Sequence, residues 1–188
     1  MLDRQDVIEL VEALAAALDD SGVPVTIQIV GGAGIAWLHF PQRRGTVDID
    51  ALFSPREQVL RVASEIAALH GLPDEWLNDA VLRTGAIPFA RDIDWITVVE
   101  RGDVTVHVAD ARALLAMKLR AARPGRDTDD IVHLMSREDI RSIDEAEAVF
   151  EEFYPGEAVS ERGMRILERI FTVDLVDEHT HHEKGGNA

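Results

Sequence analysis

Cysteine is absent from the 188 residues, which excludes a disulfide framework and any thiolate-bound metal and accords with a reducing compartment. No apolar run approaches the ~20 residues that a membrane-spanning helix requires, so no membrane association is expected. The opening Met1-Leu2-Asp3-Arg4-Gln5-Asp6 carries acids where a signal peptide needs a basic segment followed by an apolar one. A soluble, cytoplasmic chain is the expectation. Basic residues are scarce, 19 Lys and Arg against 35 Asp and Glu, and the net charge of −16 repels nucleic acid at long range. Any contact with RNA must therefore be local. One stretch runs against the trend: Arg112 to Arg126 holds Arg112, Lys118, Arg120, Arg123 and Arg126 and no acid, whereas Asp127 to Glu161 has twelve acids against Arg137 and Arg141. A solvated helix face accounts for such a stretch as readily as a binding surface does.

The length suits one main domain with a substantial core. Val7, Leu10, Val11, Leu14 and Leu18 recur at helical spacing over Asp3 to Asp20, and Ser21-Gly22 stops that helix. Val25 to Val30 reads as a strand ending on Gly31-Gly32, and Ala33 to His39 suits a short helix. A Pro- and Gly-containing loop, Phe40 to Gly45, leads to a second strand over Thr46 to Phe53. Pro55 opens a helix whose apolar stripe is Val59, Val62, Ile66 and Leu69, ending near Gly71. Gly85 to Asp94 has room for a short strand. Trp95 to Val99 and Val104 to Val108 flank Gly102-Asp103 as a hairpin. Helices are expected over Asp110 to Ala122, Asp127 to Met135, Asp144 to Tyr154 and Ser160 to Phe171, the first two separated by Pro124-Gly125. The fold class is thus α/β in the α+β sense. A small mixed sheet flanked by helices occupies 1–110, a helical part packs on it over 111–175, and 176–188 reads as a disordered tail.

Thr46-Val47-Asp48-Ile49-Asp50-Ala51 carries the clearest chemical signal. In a strand, Asp48 and Asp50 project from one face about 7 Å apart at Cα. Such a pair is commonly solvated surface, yet it also suits Mg²⁺, which binds through one or two acids together with substrate phosphates. A phosphate site close by would decide between the two. The Gly31-Gly32 turn supplies one, because glycines let a polyphosphate approach the backbone and leave N–H groups free to donate. Two other phosphate motifs fail. A Walker loop needs a lysine after its last glycine, and none occurs before Lys118. A dinucleotide fingerprint on Gly32 and Gly34 would place Trp37 where a third glycine must sit.

From Gly31-Gly32-Ala33 through Arg44-Gly45-Thr46-Val47-Asp48-Ile49-Asp50, the chain resembles the minimal nucleotidyltransferases. More narrowly it resembles the AbiE-type toxin group and its mycobacterial tRNA nucleotidyltransferase toxin relatives. A second block, Leu114 to Leu119 followed by Arg126-Asp127-Thr128-Asp129-Asp130-Ile131, is similar to the lysine helix and R-D-x-x-D-[IL] pair of that group. The resemblance covers about Val25 to Met135. It implies transfer of a nucleoside monophosphate from an NTP to tRNA, Mg²⁺ as cofactor, and a cognate antitoxin as protein partner. It further implies Asp48 and Asp50 as metal ligands, and Gly31, Gly32, Arg44, Thr46 and Lys118 around the nucleotide. Lys118 and Asp127 would complete the catalytic set, with Asp130 orienting its neighbours. The residues themselves also permit a snorkelling Lys118 and an N-terminal cap pair at Asp127 and Asp130. Many such enzymes have a third carboxylate on a later strand, where this chain has His107; Asp92, Asp94 and Asp110 are substitutes. His179, His181 and His182 offer adventitious metal ligands on a polar tail. Two rival functions keep the scaffold: transfer to a small-molecule acceptor, for which the acidity favours a cation, and a catalytically silent binding module.

Overall fold

Helix α1, Arg4–Asp19, opens on a capping box in which Asp3 Oδ1 accepts from the Asp6 N–H and Asp6 Oδ2 from the Asp3 N–H, each at 2.9 Å. Its buried face is Val7, Leu10, Val11, Leu14, Ala15 and Leu18, as the spacing requires. The computed structural model describes residues 1–182, with side chains through Thr172. Strand β1, Val25–Ile29, alternates buried Val25, Ile27 and Ile29 with Thr26 and Gln28. Helix α2, Gly31–Gly34, continues into one π-helical turn over Ile35–His39, so this short helix starts two residues before Ala33.

Strand β2 spans Ile49–Ser54, three residues shorter at its start than the sequence suggests. Thr46 Oγ1 donates to the Asp48 carbonyl at 3.0 Å, a local bond that diverts the backbone from a ladder before Asp48. Thr46 instead exchanges two 2.7 Å backbone hydrogen bonds with Leu2. Asp48 consequently sits in the bend before the strand and Asp50 within it. Helix α3, Arg56–His70, buries Val59, Val62, Ala63, Ile66 and Ala67 and ends on left-handed Gly71. Leu69 does not belong to the stripe: it is 82% exposed, and the small Ala63 and Ala67 pack in its stead.

No strand forms between Gly85 and Asp94, where left-handed Gly85 and Pro88 interrupt an extended path. The additional strand is β3, Leu77–Asn78, parallel to β2. Strands β4, Trp95–Arg101, and β5, Val104–Ala109, form the expected hairpin. The mixed sheet has the order β3-β2-β1-β5-β4, with β1 antiparallel to β2 and parallel to β5. Helices α4 (Ala111–Ala121), α5 (Thr128–Arg137), α6 (Ile143–Phe153) and α7 (Glu161–His182) follow. Helix α7 thus carries the chain through His182, into the stretch expected to be tail; residues 183–188 lie outside the described residues, and so do the side chains of His179, His181 and His182.

Two apolar clusters organise these elements. One face of the sheet, through Ile27, Ile29, Ile49, Ala51, Val106 and Val108, packs on α1 and α3. Leu52, on the opposite face, joins Leu114, Leu115, Leu134, Phe150 and Phe153 of the helical part. Alternation along β2 therefore aims Asp50, flanked by buried Ile49 and Ala51, toward the side occupied by α4. Among the described residues no helix is long and apolar enough to cross a membrane.

Trp76 anchors the first cluster: it is 1% exposed, and its indole N–H donates to the Ala63 carbonyl of α3 at 2.9 Å. Trp76→Ala is expected to cost about 3–5 kcal/mol by leaving a cavity and removing this hydrogen bond, measurable as a lower urea midpoint with an unchanged slope.

Candidate active site

Two glycines at the end of β1 are required for different reasons. Gly31 has φ of +61°, and a Cβ there would stand 3.3 Å from Asp50 Oδ2. At Gly32 a Cβ would meet Arg43 Nη2 at 2.9 Å and Thr46 Oγ1 at 3.1 Å. The turn thus lies directly against Asp50 on one side and a guanidinium on the other. Gly31 and Gly32 open α2, so their N–H groups precede the first intrahelical acceptors.

The Asp50 carboxylate accepts no hydrogen bond among the described residues, and burial followed by the like charge of Asp48 pushes its carboxyl above the usual carboxylate range. Asp48 is braced by Asn78 of β3, whose Nδ2 donates to Asp48 Oδ2 at 3.2 Å while its Oδ1 accepts from the Ala80 N–H at 2.9 Å. Adjacent carboxylates with uncommitted oxygens are a hard donor set, and a divalent cation there would relieve the repulsion that perturbs Asp50. The residues present therefore fit Mg²⁺ shared with substrate phosphates. Among the described residues, no group of three or more His, Asp and Glu surrounds a common point.

Opposite the acids stands a buried ion cluster contributed by α4, α5 and two loops. Lys118 Nζ lies 2.7 Å from Asp127 Oδ1 and 2.8 Å from Asp130 Oδ2. Asp130 also accepts from Arg43 Nε at 2.6 Å and Nη2 at 3.1 Å. Asp127 receives the backbone N–H and the Nε of Arg123, both at 2.9 Å, and its Nη2 at 3.0 Å. Burial alone would raise the Asp127 carboxyl, but the hydrogen bonds and charges of Arg123 and Lys118 prevail and hold it at about 2. Asp127 occupies the N-cap position of α5 without using its side chain as a cap.

A cavity of about 540 Å³ separates the two groups. Of the residues singled out in the sequence, Gly31, Gly32, Thr46, Asp48, Asp50 and Lys118 line it. Asp127 is fully buried and does not line the cavity; it acts there through its two partners, Lys118 and Arg123. Arg44 is not brought to the cavity: its side chain is exposed, and its carbonyl accepts from Arg43 Nη1 at 2.8 Å. Arg43 holds the position expected of Arg44, because its pairing with Asp130 turns it inward. Arg123 and Arg126, named in the basic stretch without a choice of which members turn inward, also face the cavity, whereas Asn78 carried no signal in the sequence.

Rather than a continuous basic surface, the Arg112 to Arg126 run divides between faces. Arg112 pairs with Glu152 and Glu138, and Arg120, though it borders the cavity, pairs with Glu157. None of the substitutes for a third carboxylate lines the cavity. Asp110 caps α4 through the Ala113 N–H and accepts from the Asp94 N–H; Asp92 and Asp94 are exposed. His107 lies beside Thr97 within the β4–β5 hairpin.

No family model matches this chain, and no solved structure matches it. Among curated proteins, it is 34% identical over 110 residues to a protein described as probable potassium transport system protein Kup from Anaeromyxobacter sp. (strain Fw109-5). The matched stretch is 58% of this chain but 16% of that relative, so the likeness concerns a small part of a much longer protein.

The two site carboxylates respond to pH with opposite sign. Asp127, lowered from 3.8 to about 2, stabilises the fold above pH 3.8, and that contribution is lost as pH falls toward 2. Asp50, raised from 3.8, contributes fully only below pH 3.8 and loses its contribution as pH rises through its folded value. In chelator-treated protein at pH 7, Asp50→Asn is therefore expected to raise the melting temperature and Asp127→Asn to lower it. Both differences should shrink in melts recorded at successively lower pH; a destabilised Asp50→Asn protein would contradict the assignment.

Proposed function

We propose that this chain is an Mg²⁺-dependent nucleotidyltransferase that moves a nucleoside monophosphate from an NTP to an RNA acceptor. The observation that carries the reading is the approach of the Gly31-Gly32 turn to Asp50 across from a wall of inward-facing cations. Acids for a metal, a backbone turn for phosphates and positive charge for the triphosphate thereby meet in one cavity.

In this reading the acceptor hydroxyl gives up its proton to water as its oxygen attacks the α-phosphorus in line, the bond to the bridging oxygen breaks, and pyrophosphate leaves. Asp48 and Asp50 would hold Mg²⁺, which supplies Lewis acidity toward phosphate oxygens when bound. Asn78 fixes the rotamer of Asp48. The Gly31 and Gly32 N–H groups would serve the phosphates, and Lys118, hydrogen-bonded to Asp127 and ion-paired with Asp130, would turn its remaining donor capacity to the nucleotide. Positioning and charge stabilisation account for most of such catalysis, so this set is chemically sufficient.

Transfer RNA as acceptor and a toxin role with an antitoxin partner rest on the resemblance of the motifs. Arg126, exposed at the cavity and without an ion pair among the described residues, together with half-exposed Arg123, supports a polyanionic acceptor over a cationic small molecule. Such a local basic rim is compatible with a net charge of −16, since screening confines attraction to about 10 Å.

Incubation with each α-labelled NTP, Mg²⁺ and total tRNA is expected to label the RNA. Asp48→Ala should reduce labelling at least about 100-fold, on the order expected when metal-assisted charge stabilisation is lost. Label appearing on aminoglycosides and not on tRNA would move the reading to a small-molecule acceptor. Failure of the native protein to bind any Mg·NTP would leave a silent scaffold.

A further inference from the structure

Arg43 has five N–H donors in a rigid fork, and the structure accounts for four of them. Nε donates to Asp130 Oδ1 at 2.6 Å, and one N–H of Nη2 to Asp130 Oδ2 at 3.1 Å. Both N–H groups of Nη1 are turned to the chain's own loop, toward the Arg44 carbonyl at 2.8 Å and the Gly45 carbonyl at 3.4 Å. What remains is the second N–H of Nη2. That atom lies 2.9 Å from the point a Cβ on Gly32 would occupy, with Thr46 Oγ1 3.1 Å from the same point. The guanidinium side chain is only 11% exposed, so its remaining donor is committed to the cavity and not to bulk water.

We propose that Arg43 is a polyphosphate-binding residue of this site, with the fork held by Asp130 so that its one free N–H stands over the Gly31-Gly32 turn. The proposal rests on the nucleotidyltransferase reading and adds to it a residue pair and a division of labour. Arg43 touches the nucleotide; Asp130 is a positioning residue that acts through Arg43 on one oxygen and steadies Lys118 through the other. The cluster has the charge to do this. Arg43, Lys118 and Arg123 bring three positive charges against two on Asp127 and Asp130, leaving net positive charge beside the phosphate path. A lysine cannot replace Arg43, because an ammonium cannot span both Asp130 oxygens in a fork and still present a donor at fixed direction over Gly32.

The fit also gives the glycine a second reason. Any side chain at Gly32 would occupy the space into which Nη2 projects, so substitution there displaces the guanidinium as well as blocking the turn.

Calorimetric binding of Mg·NTP, as a non-transferable α,β-methylene analogue, and of inorganic triphosphate tests this on the full chain. Arg43→Gln is expected to weaken both ligands by the same factor, about 10–100-fold, the range for a hydrogen bond to a charged group. Arg43→Lys should recover little of that loss, and Arg43→Gln should raise KM for NTP more than Arg44→Gln does. Asp130→Asn is expected to weaken binding in the native background and to cost less in the Arg43→Gln background, where only its hold on Lys118 remains to be lost, a non-additive cycle. If Asp130→Asn fails to fold, the Arg43→Gln and Arg43→Lys pair decides. Undiminished binding by Arg43→Gln, full rescue by lysine, or additive losses in the cycle would overturn the proposal while native binding of Mg·NTP left the broader reading intact. No binding of either ligand by the native protein would overturn the broader reading itself, and this one with it.

Discussion

Everything at the cavity depends on two buried carboxylates that each hold more than one cation. Asp127 joins Lys118 of α4 to Arg123 of the loop that follows it, and Asp130 joins Lys118 to Arg43 of the loop before β2. The cluster thereby ties the helical part to the sheet part at the point where the glycine turn and the acid pair meet. Removing one partner would leave charge buried without compensation, which is costly, although the intact pairs add little over a well-packed apolar core. Their value lies in geometry. They fix the direction of donors that would otherwise explore many rotamers on long, flexible stems.

On the other wall the protein accepts a penalty. Asp50 is partly buried beside Asp48 with no donor of its own, and its carboxyl is correspondingly harder to ionise. A structure under selection for stability alone would have filled this position with an amide or an apolar side chain. The Gly31-Gly32 turn shows the same priority, since both positions lack a side chain where one would contact Asp50, Arg43 or Thr46. Unfavourable electrostatics and backbone freedom are concentrated within a few residues, while the clusters around Ile27 and Leu114 are conventionally packed.

Charge is partitioned on a similar principle. Glu138 and Glu152 neutralise Arg112 and Glu157 neutralises Arg120, so the positive charge that the arginine run leaves without an ion pair is that of Arg126 at the cavity rim. That arrangement lets a strongly acidic chain attract a polyanion over a short range without a basic exterior.

Much was legible before any coordinates. The period of Val7 to Leu18, the glycine turn after Val25 to Ile29 and the Gly102 hairpin each depend on near neighbours, and short-range sterics and periodicity settle such features. The pairing of D-x-D with a glycine turn likewise followed from residue type and spacing. Tertiary structure decided the rest. Which of two adjacent arginines turns inward depends on Asp130, 87 residues from Arg43, and no local pattern contains that partner. The exposure of Leu69 and the burial of Trp76 depend on what α3 meets. The two-residue strand β3 exists only because β2 offers it an edge, and through Asn78 it braces Asp48. By itself, then, the sequence determined the elements and the chemical types available to the site. Only the folded chain decided which charges face one another, because pairing energies act across space between residues whose separation along the chain carries no information.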